Sequence, residues 1–171
     1  MAIAASDILV RLTGGASNTD PNLSIGGIMS TVAGGIIITD VLNNDMDDIT
    51  SVEASSGITI YHGYFYENSH ASLTYISPKF YIQSQTSSGD TSIEIGIAPE
   101  AKNTAIEVVA NETTAPVSVT FTTPANFAAG IALGSLDFGD EQGLWAKYIV
   151  GSSAAAVLDQ YILGIQGDTN P

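Results

Sequence analysis

Two histidines and no cysteine limit the chemistry open to this chain of 171 residues. A hydrolytic triad would need His62 or His70 as its base, and no G-x-S-x-G segment is present to hold a nucleophilic serine. His62 alternates with aromatic residues, as in a packed strand, and His70 follows Asn68 and Ser69 in a turn-like segment. The sequence therefore predicts structural roles for both histidines, and we expect the chain not to be an enzyme.

An acidic segment at residues 43–48 contains the candidate metal ligands Asp45, Asp47 and Asp48. Calcium prefers such oxygen ligands, but an EF-hand loop needs glycine where Asp48 stands and glutamate where Ala54 stands. A solvated acidic turn leading into a short helix explains the segment more simply. We expect no metal and no cofactor here, and we keep the three aspartates as weak candidates.

A second acidic cluster is formed by Asp137, Asp140 and Glu141. A pair of carboxylates can act as acid and base in glycoside cleavage, provided that one of them lies in an apolar pocket that raises its pKa. Nothing in the surrounding sequence indicates such a pocket. An exposed turn kept in solution by its charges is the favoured interpretation.

Aromatic residues are concentrated between residues 61 and 66. Sugar-binding β-sandwiches use exposed aromatic rings as flat platforms, which makes Tyr61, Tyr64 and Tyr66 candidates for glycan binding. Alternation along a strand also places such rings in a core, and core packing is the favoured interpretation for these residues and for Trp145.

The charge balance argues against two classes of partner. The chain has 4 basic and 18 acidic residues, a net charge of -14. Nucleic acids and anionic membranes are bound through clustered Lys and Arg side chains, which this composition does not provide. The glycine pairs also lack the spacing of phosphate-binding loops. We therefore expect no nucleic acid and no membrane among the partners.

Residues 1–30 are rich in turns and lack a sustained period. They predict either an extended arm that lies on a neighbouring subunit or the first strands of the same domain. In the first case its apolar residues and one arginine form a protein interface: Ile8, Val10, Arg11, Leu12, Leu23, Ile25 and Ile28. Residues 31–171 are predicted to form a single domain.

Most of the remaining chain alternates with the period of β-strands. Thr50 and Glu53 form a capping box and Gly57 a stop signal, which together predict one short helix. Strands are predicted at 58–66, 72–76, 79–84, 92–97, 117–122, 144–150 and 159–166, with Pro78 separating two of them. The pattern predicts an all-β fold, an antiparallel β-sandwich or jelly roll with a turn-rich N-terminal arm and one short helix.

Several short segments are distinctive when taken together: RLTGGASN at 11–18, DPN at 20–22, GG at 26–27, YFYENSHA at 64–71, TSIEIG at 91–96, LWAK at 144–147 and GDT at 167–169. Together they resemble a family of small β-rich virion proteins of tailed bacteriophages. After Trp145 the relatives are more basic, whereas this chain has only Lys147.

The resemblance implies a capsid cement or decoration protein that stabilises the outside of an icosahedral head. Its partners would be the major capsid protein and copies of itself, in a trimer or dimer. Its location would be the capsid exterior of the virion, after assembly in the host cytoplasm. The alternative is a carbohydrate- or receptor-binding sandwich of a head or tail fibre, which would need exposed tyrosines.

Overall fold

The computed structural model describes residues 2–38, 41, 43–46, 48–155 and 159–169. Seven strands and one α-helix lie in these ranges: β1 (Ile8–Leu12), α1 (Ser51–Ser56), β2 (Ile58–Asn68), β3 (Tyr75–Ser84), β4 (Thr91–Ile97), β5 (Ile131–Ala132), β6 (Glu141–Val150) and β7 (Ile162–Thr169). Short 3-10 turns occur at Ala5–Asp7, Pro21–Leu23, Ala33–Gly35 and Phe127–Ala129. The predicted all-β fold is confirmed.

The strands form two antiparallel sheets. One has the order β1-β2-β6-β4, and the other has the order β5-β3-β7. The sheets pack face to face over a core that includes Tyr64, Tyr66, Phe80, Ile95 and Leu144. The Tyr66 and Phe80 rings meet edge to face, with centroids 5.2 Å apart, and so join the two sheets.

A second core covers the other face of the four-stranded sheet. Phe65 and Trp145 are fully buried there against Ile106 and Val109, which belong to the long connection between β4 and β5. Gly143 makes this close approach possible, because a Cβ at that position would lie 2.2 Å from Cγ2 of Ile106. Strands β2 and β6 are therefore buried on both faces, as the alternation of β2 predicts.

Helix α1 follows the predicted capping signals. The Thr50 side chain accepts a hydrogen bond from the Glu53 amide, and the Glu53 carboxylate accepts one from the Thr50 amide at 2.7 Å. Gly57 ends the helix at a φ of 79°, a conformation that favours glycine. No helix among the described residues is long and apolar enough to cross a membrane.

Two predictions about strands are wrong. Pro78 does not separate two strands, because β3 continues through it with a register irregularity between Ile76 and Lys79. Residues 117–122 alternate in polarity but form no strand; the last of them, Thr122, makes an isolated bridge with Ile95. Ser118 has a φ of 67°, which interrupts an extended backbone there.

Candidate interaction surface

Four exposed aliphatic side chains lie on two neighbouring segments, residues 23–28 and 106–117, which we call the outer ribbon. Gly27 and Ile106 exchange backbone hydrogen bonds of 3.0 and 3.1 Å, and the Val109 amide donates to Ile25 at 3.0 Å. These bonds hold the segments together as a two-stranded layer over the four-stranded sheet.

Backbone bonds also attach the outer ribbon to the edge of β2 beyond the end of β1. The Gly63 amide donates to Ser24 and the Tyr61 amide to Glu112, each at 2.7 Å. At Gly26 the chain passes so close to Glu107 that a Cβ would lie 1.7 Å from its carbonyl oxygen, and the φ of +102° is one that glycine tolerates. The outer ribbon is thus fixed in place by its backbone.

The two sides of the outer ribbon have different environments. Ile25, Ile106 and Val109 face the second core. Four aliphatic side chains are exposed to solvent: Leu23 (55%), Ile28 (52%), Val108 (66%) and Val117 (69%). Val108 lies beside Gly27, and the Val117 amide donates to the neighbouring Glu107 carboxylate at 2.7 Å. The ribbon therefore presents four aliphatic side chains to solvent, while other exposed apolar side chains, among them Ile38, Val52 and Phe138, lie outside it.

The predicted interface residues divide into two groups. Strand β1 pairs with β2 from Ile8 opposite Asn68 to Leu12 opposite Tyr64. Leu12 is 2% exposed, and Ile8 and Val10 pack against the main core. Residues 8–12 are therefore not an arm on a neighbour; the alternative interpretation, that they form the first strand of the same domain, is the one observed.

Arg11 is occupied within the chain, where it forms an ion pair with Glu67 on β2. The predicted interface residues outside β1 lie in the outer ribbon. Leu23 and Ile28 are exposed, whereas Ile25 is partly buried against the second core. The partners Val108 and Val117 could not be predicted from the sequence, because only the folded chain brings residues 106–117 beside residues 23–28.

The tyrosines do not form an exposed platform. Tyr64 and Tyr66 are each 4% exposed, since both point into the core between the sheets. Tyr61 lies on the opposite face of β2, partly buried, with its ring centroid 5.6 Å from that of Phe121. The glycan-platform hypothesis is wrong for Tyr64 and Tyr66, because strand alternation buries both side chains.

Asp45 lies at one end of the main core instead of in a solvated turn. Its carbonyl is 2.6 Å from Nδ1 of His62 and accepts a hydrogen bond of 3.0 Å from the Tyr64 hydroxyl. Its carboxylate accepts a hydrogen bond from the Tyr161 hydroxyl. Burial raises the pKa of this carboxyl, and the bond from Tyr161 opposes that effect. These contacts connect the acidic segment to β2 and to the residue before β7.

The candidate metal ligands do not come together in the described part of the chain. Asp48 is exposed, Asp47 lies outside the described residues, and the Asp45 carboxylate is bound to Tyr161. No group of three or more His, Asp or Glu side chains suited to a metal ion occurs among the residues described.

His62 is fully buried, as its position in an alternating strand predicts. Since a carbonyl oxygen only accepts, Nδ1 of His62 is the donor to Asp45. Nε2 lies 3.7 Å from a carboxylate oxygen of Glu112 in the outer ribbon and has no hydrogen-bond partner in the described structure. His62 thus lies between the acidic segment and the outer ribbon, and its contacts join these structural elements.

The second acidic cluster is arranged as a turn. Burial alone would raise the pKa of Asp140, but hydrogen bonds from Asn103 and Lys102 outweigh burial and lower it. The same carboxylate accepts the Asp137 amide at 3.0 Å. Its oxygens are therefore engaged in holding the turn, and Glu141 begins β6 opposite Glu67.

Most of the basic side chains are paired with acidic ones. Arg11 binds Glu67, Lys102 binds Asp140 and Lys147 binds Glu94, while Lys79 lies over the Phe127 ring. Because 18 acidic residues stand against 4 basic ones, the surface keeps a large acidic excess after this pairing.

Two shallow depressions occur beside residues 22–25 in the described structure. One, of about 320 Å³, is lined by Asn22, Ile25 and residues 110–112, and the other, of about 500 Å³, by residues 14–20 and Leu23. Both are open to solvent. Their form suits contact with another surface better than enclosure of a small molecule.

Comparisons with known proteins give no relative. No protein-family model, curated protein or solved structure matches the chain. The functional argument therefore depends on the outer ribbon, the charge distribution and the sequence resemblance.

Proposed function

We propose that this chain is a non-enzymatic virion protein that binds the outer surface of a tailed-phage head as a cement or decoration protein. Its partners are the major capsid protein and copies of itself, and it stabilises the head by joining neighbouring capsid subunits. The observation that carries the proposal is the outer ribbon, with Leu23, Ile28, Val108 and Val117 each more than half exposed.

Aliphatic side chains in this position favour binding to protein. Full burial of a Val, Leu or Ile side chain contributes roughly 1.5–3 kcal/mol, and these four are already partly covered. Each can therefore add about 1 kcal/mol when a partner surface covers it. Grouped exposed apolar residues on a monomer are typical of interaction sites.

The attachment of the ribbon also favours binding. Its backbone bonds to Gly63 and Tyr61 and its packing on Trp145 fix the exposed side chains before a partner arrives. A fixed surface loses little conformational entropy on binding, so more of the contact energy appears as affinity.

The acidic surface supports a position outside the head. A net charge of -14 disfavours contact with packaged nucleic acid and is compatible with an exterior location. On an icosahedral surface a weak contact is repeated many times, so a modest interface per copy is enough where copies are also linked to each other.

The direct test is binding of the purified protein to heads of the phage that encodes it, together with survival of those heads on heating. The double variant Val108→Glu, Val117→Glu places two charges in the outer ribbon, and both positions are exposed in the folded chain. We expect at least tenfold weaker binding and loss of the thermal protection, because each carboxylate would have to be desolvated in the contact.

A matched control is available on α1. Val52 is 74% exposed and lies outside the outer ribbon, so Val52→Glu introduces the same charge at a similar exposure. It should bind heads like the unmodified protein. Equal binding by all three proteins would reject the outer ribbon as the attachment surface, and absence of binding by the unmodified protein would reject the proposed function.

A further inference from the structure

The two sheets have four edges, at β1 and β4 of one sheet and at β5 and β7 of the other. The β1 edge is occupied where the Ile37 amide donates to Val10 at 2.9 Å. The β4 edge is occupied where Ile95 and Thr122 exchange two bonds of 2.9 Å. Strand β5 has only two residues, which leaves β7 as the long edge to account for.

The direction of the backbone groups in β3 can be read from its contacts on the β5 side. The Leu133 amide donates to the Pro78 carbonyl at 2.9 Å, and the Ile82 amide donates to Pro124 at 2.8 Å. Successive residues of a strand direct their backbone groups to opposite sides. From Pro78 to Ile82, even-numbered residues of β3 therefore point towards β5 and odd-numbered residues point towards β7. Before the register irregularity between Ile76 and Lys79 the order is reversed, since Tyr75 exchanges backbone bonds with Leu136.

The same alternation assigns the two sides of β7. Gly164 and Gln166 stand opposite the odd-numbered residues of β3, so their amides and carbonyls are used within the sheet. The amides and carbonyls of Leu163 and Ile165 must then point outwards. No backbone group among the described residues bonds to them.

The side chains of β7 also lack the features that protect edge strands. Native edges carry proline, lysine or an inward-pointing charge, whereas β7 has only Asp168, near its end. Leu163 and Ile165 pack against the main core but stay partly exposed, unlike the buried Phe80 and Ile82 of β3. A strand added beside β7 would cover these two side chains.

We propose that β7 pairs with β7 of a second copy, antiparallel, about a two-fold axis at Gly164. This register places Leu163 of each copy opposite Ile165 of the other, and the outward amides and carbonyls of these residues satisfy each other. The inner face then holds two reciprocal Leu–Ile contacts. On the outer face the two glycines meet at the axis, and each is covered by the Tyr81 ring of its own chain. The inference concerns the chain itself and does not depend on capsid binding.

The charges of β7 suit a second copy as the occupant. In this register Asp168 stands opposite Gln160 of the other copy, and no carboxylate faces a carboxylate across the two strands. The two Asp168 residues lie about 26 Å apart along the paired strands, well beyond the screening length of about 8 Å at physiological salt. The net charge of -14 per chain still opposes approach at low salt, so salt should strengthen the dimer.

The first test measures association and amide exchange on the unmodified protein. Sedimentation velocity from micromolar to near-millimolar concentration should show a monomer–dimer equilibrium that shifts towards the dimer as salt is added. Amide exchange followed by NMR should show Gly164 and Gln166 protected at every concentration. Leu163 and Ile165 should become protected only as the dimer forms.

Two variants at one position separate the backbone donor from the side chain. Ile165→Pro and Ile165→Ala both shorten the side chain, but only the proline removes the outward-pointing amide. Proline is tolerated in edge strands, so this variant can still fold. We expect dimerisation of the proline variant to be at least tenfold weaker than that of the alanine variant. Because Trp145 is fully buried in the folded chain, its fluorescence reports whether each variant is folded.

Three results would overturn the proposal. They are a monomer at every concentration and salt, a dimer in which Leu163 and Ile165 still exchange freely, and equal dimerisation of the two folded variants. If β7 binds an extended segment of another protein and the chain does not associate with itself, the protein stays monomeric and the proposal is likewise overturned. If the proline variant does not fold, the amide exchange of Leu163 and Ile165 in the unmodified protein decides whether β7 forms the dimer contact.

Discussion

The clearest prediction for stability concerns Asp159, which precedes β7 and ties it to the other sheet. One carboxylate oxygen accepts from the Ser87 amide and hydroxyl, each at 2.7 Å, and from the Ser88 amide at 3.1 Å. The other accepts from the hydroxyls of Thr91 and Tyr148. Asp159→Asn removes the negative charge and replaces one acceptor oxygen with an amide NH2, so the charge-assisted bonds that the carboxylate accepts from its partners are weakened.

The pKa of Asp159 gives the size and the pH range of the effect. Burial alone would raise this pKa, but hydrogen bonds from Thr91 and Ser87 outweigh it and lower the pKa from 3.8 to about 2. A lowering of this size corresponds to at most about 2 kcal/mol of stability, and solvent around the partly exposed carboxylate reduces it to about 1 kcal/mol. Because the folded pKa lies below the unfolded one, the stabilisation is complete above about pH 4 and is lost as the pH falls towards 2.

Urea unfolding at a series of pH values measures this contribution. Asp159→Asn should lower the free energy of unfolding by about 1 kcal/mol at neutral pH, and the difference from the unmodified protein should vanish near pH 2. Asp168→Asn is the matched control, since it removes the same charge from an exposed position at the far end of β7. A difference that persists unchanged to pH 2, or an equal loss in the control, would refute the role assigned to the Asp159 carboxylate.

Three further substitutions test the packing and the helix by thermal or urea unfolding. Thr50→Ala removes the capping box of α1 and should lower the free energy of unfolding by about 1 kcal/mol. An unchanged free energy of unfolding would show that the cap does not stabilise the helix. Gly143→Ala forces a Cβ to 2.2 Å from Ile106 and should cost roughly 1–3 kcal/mol, whereas Gly89→Ala, which meets nothing within 4 Å, should be nearly neutral. Trp145→Ala empties the second core and should cost about 3–5 kcal/mol, and a loss below 1 kcal/mol would contradict its full burial.

Strands and helices whose signals lie in residues close together in the sequence were predicted correctly. Period-two alternation located β2, β4 and β6, and the capping box of Thr50 and Glu53 located α1. Aromatic residues on both faces of β2 indicated that both faces are at least partly covered, as the structure shows. These features need no information about distant parts of the chain.

The errors arose where distant contacts decide the structure. Residues 117–122 alternate like a strand, but Val119 and Phe121 pack in the layer over Trp145, and the segment meets β4 only through the isolated bridge of Thr122 with Ile95. Residues 8–12 could equally form an arm or a strand until β2 was seen to pair with them. The outer ribbon could not be predicted because its segments are about eighty residues apart in the sequence.

The acidic segment illustrates a further limit of sequence reasoning. Carboxylates in a row favoured a solvated turn, yet Asp45 is bound to Tyr161, a residue more than a hundred positions away. Only the folded chain shows that the Asp45 backbone carbonyl also accepts hydrogen bonds from His62 and Tyr64. Sequence spacing alone therefore misjudged the environment of this carboxylate.

Electron microscopy of phage heads incubated with the purified protein would show whether the protein attaches to the capsid exterior. We expect added density on the outer surface, with the outer ribbon facing the capsid subunits and the exposed Val52 of α1 facing solvent. Heads without added density at saturating protein, or density with the outer ribbon turned away from the capsid, would contradict it.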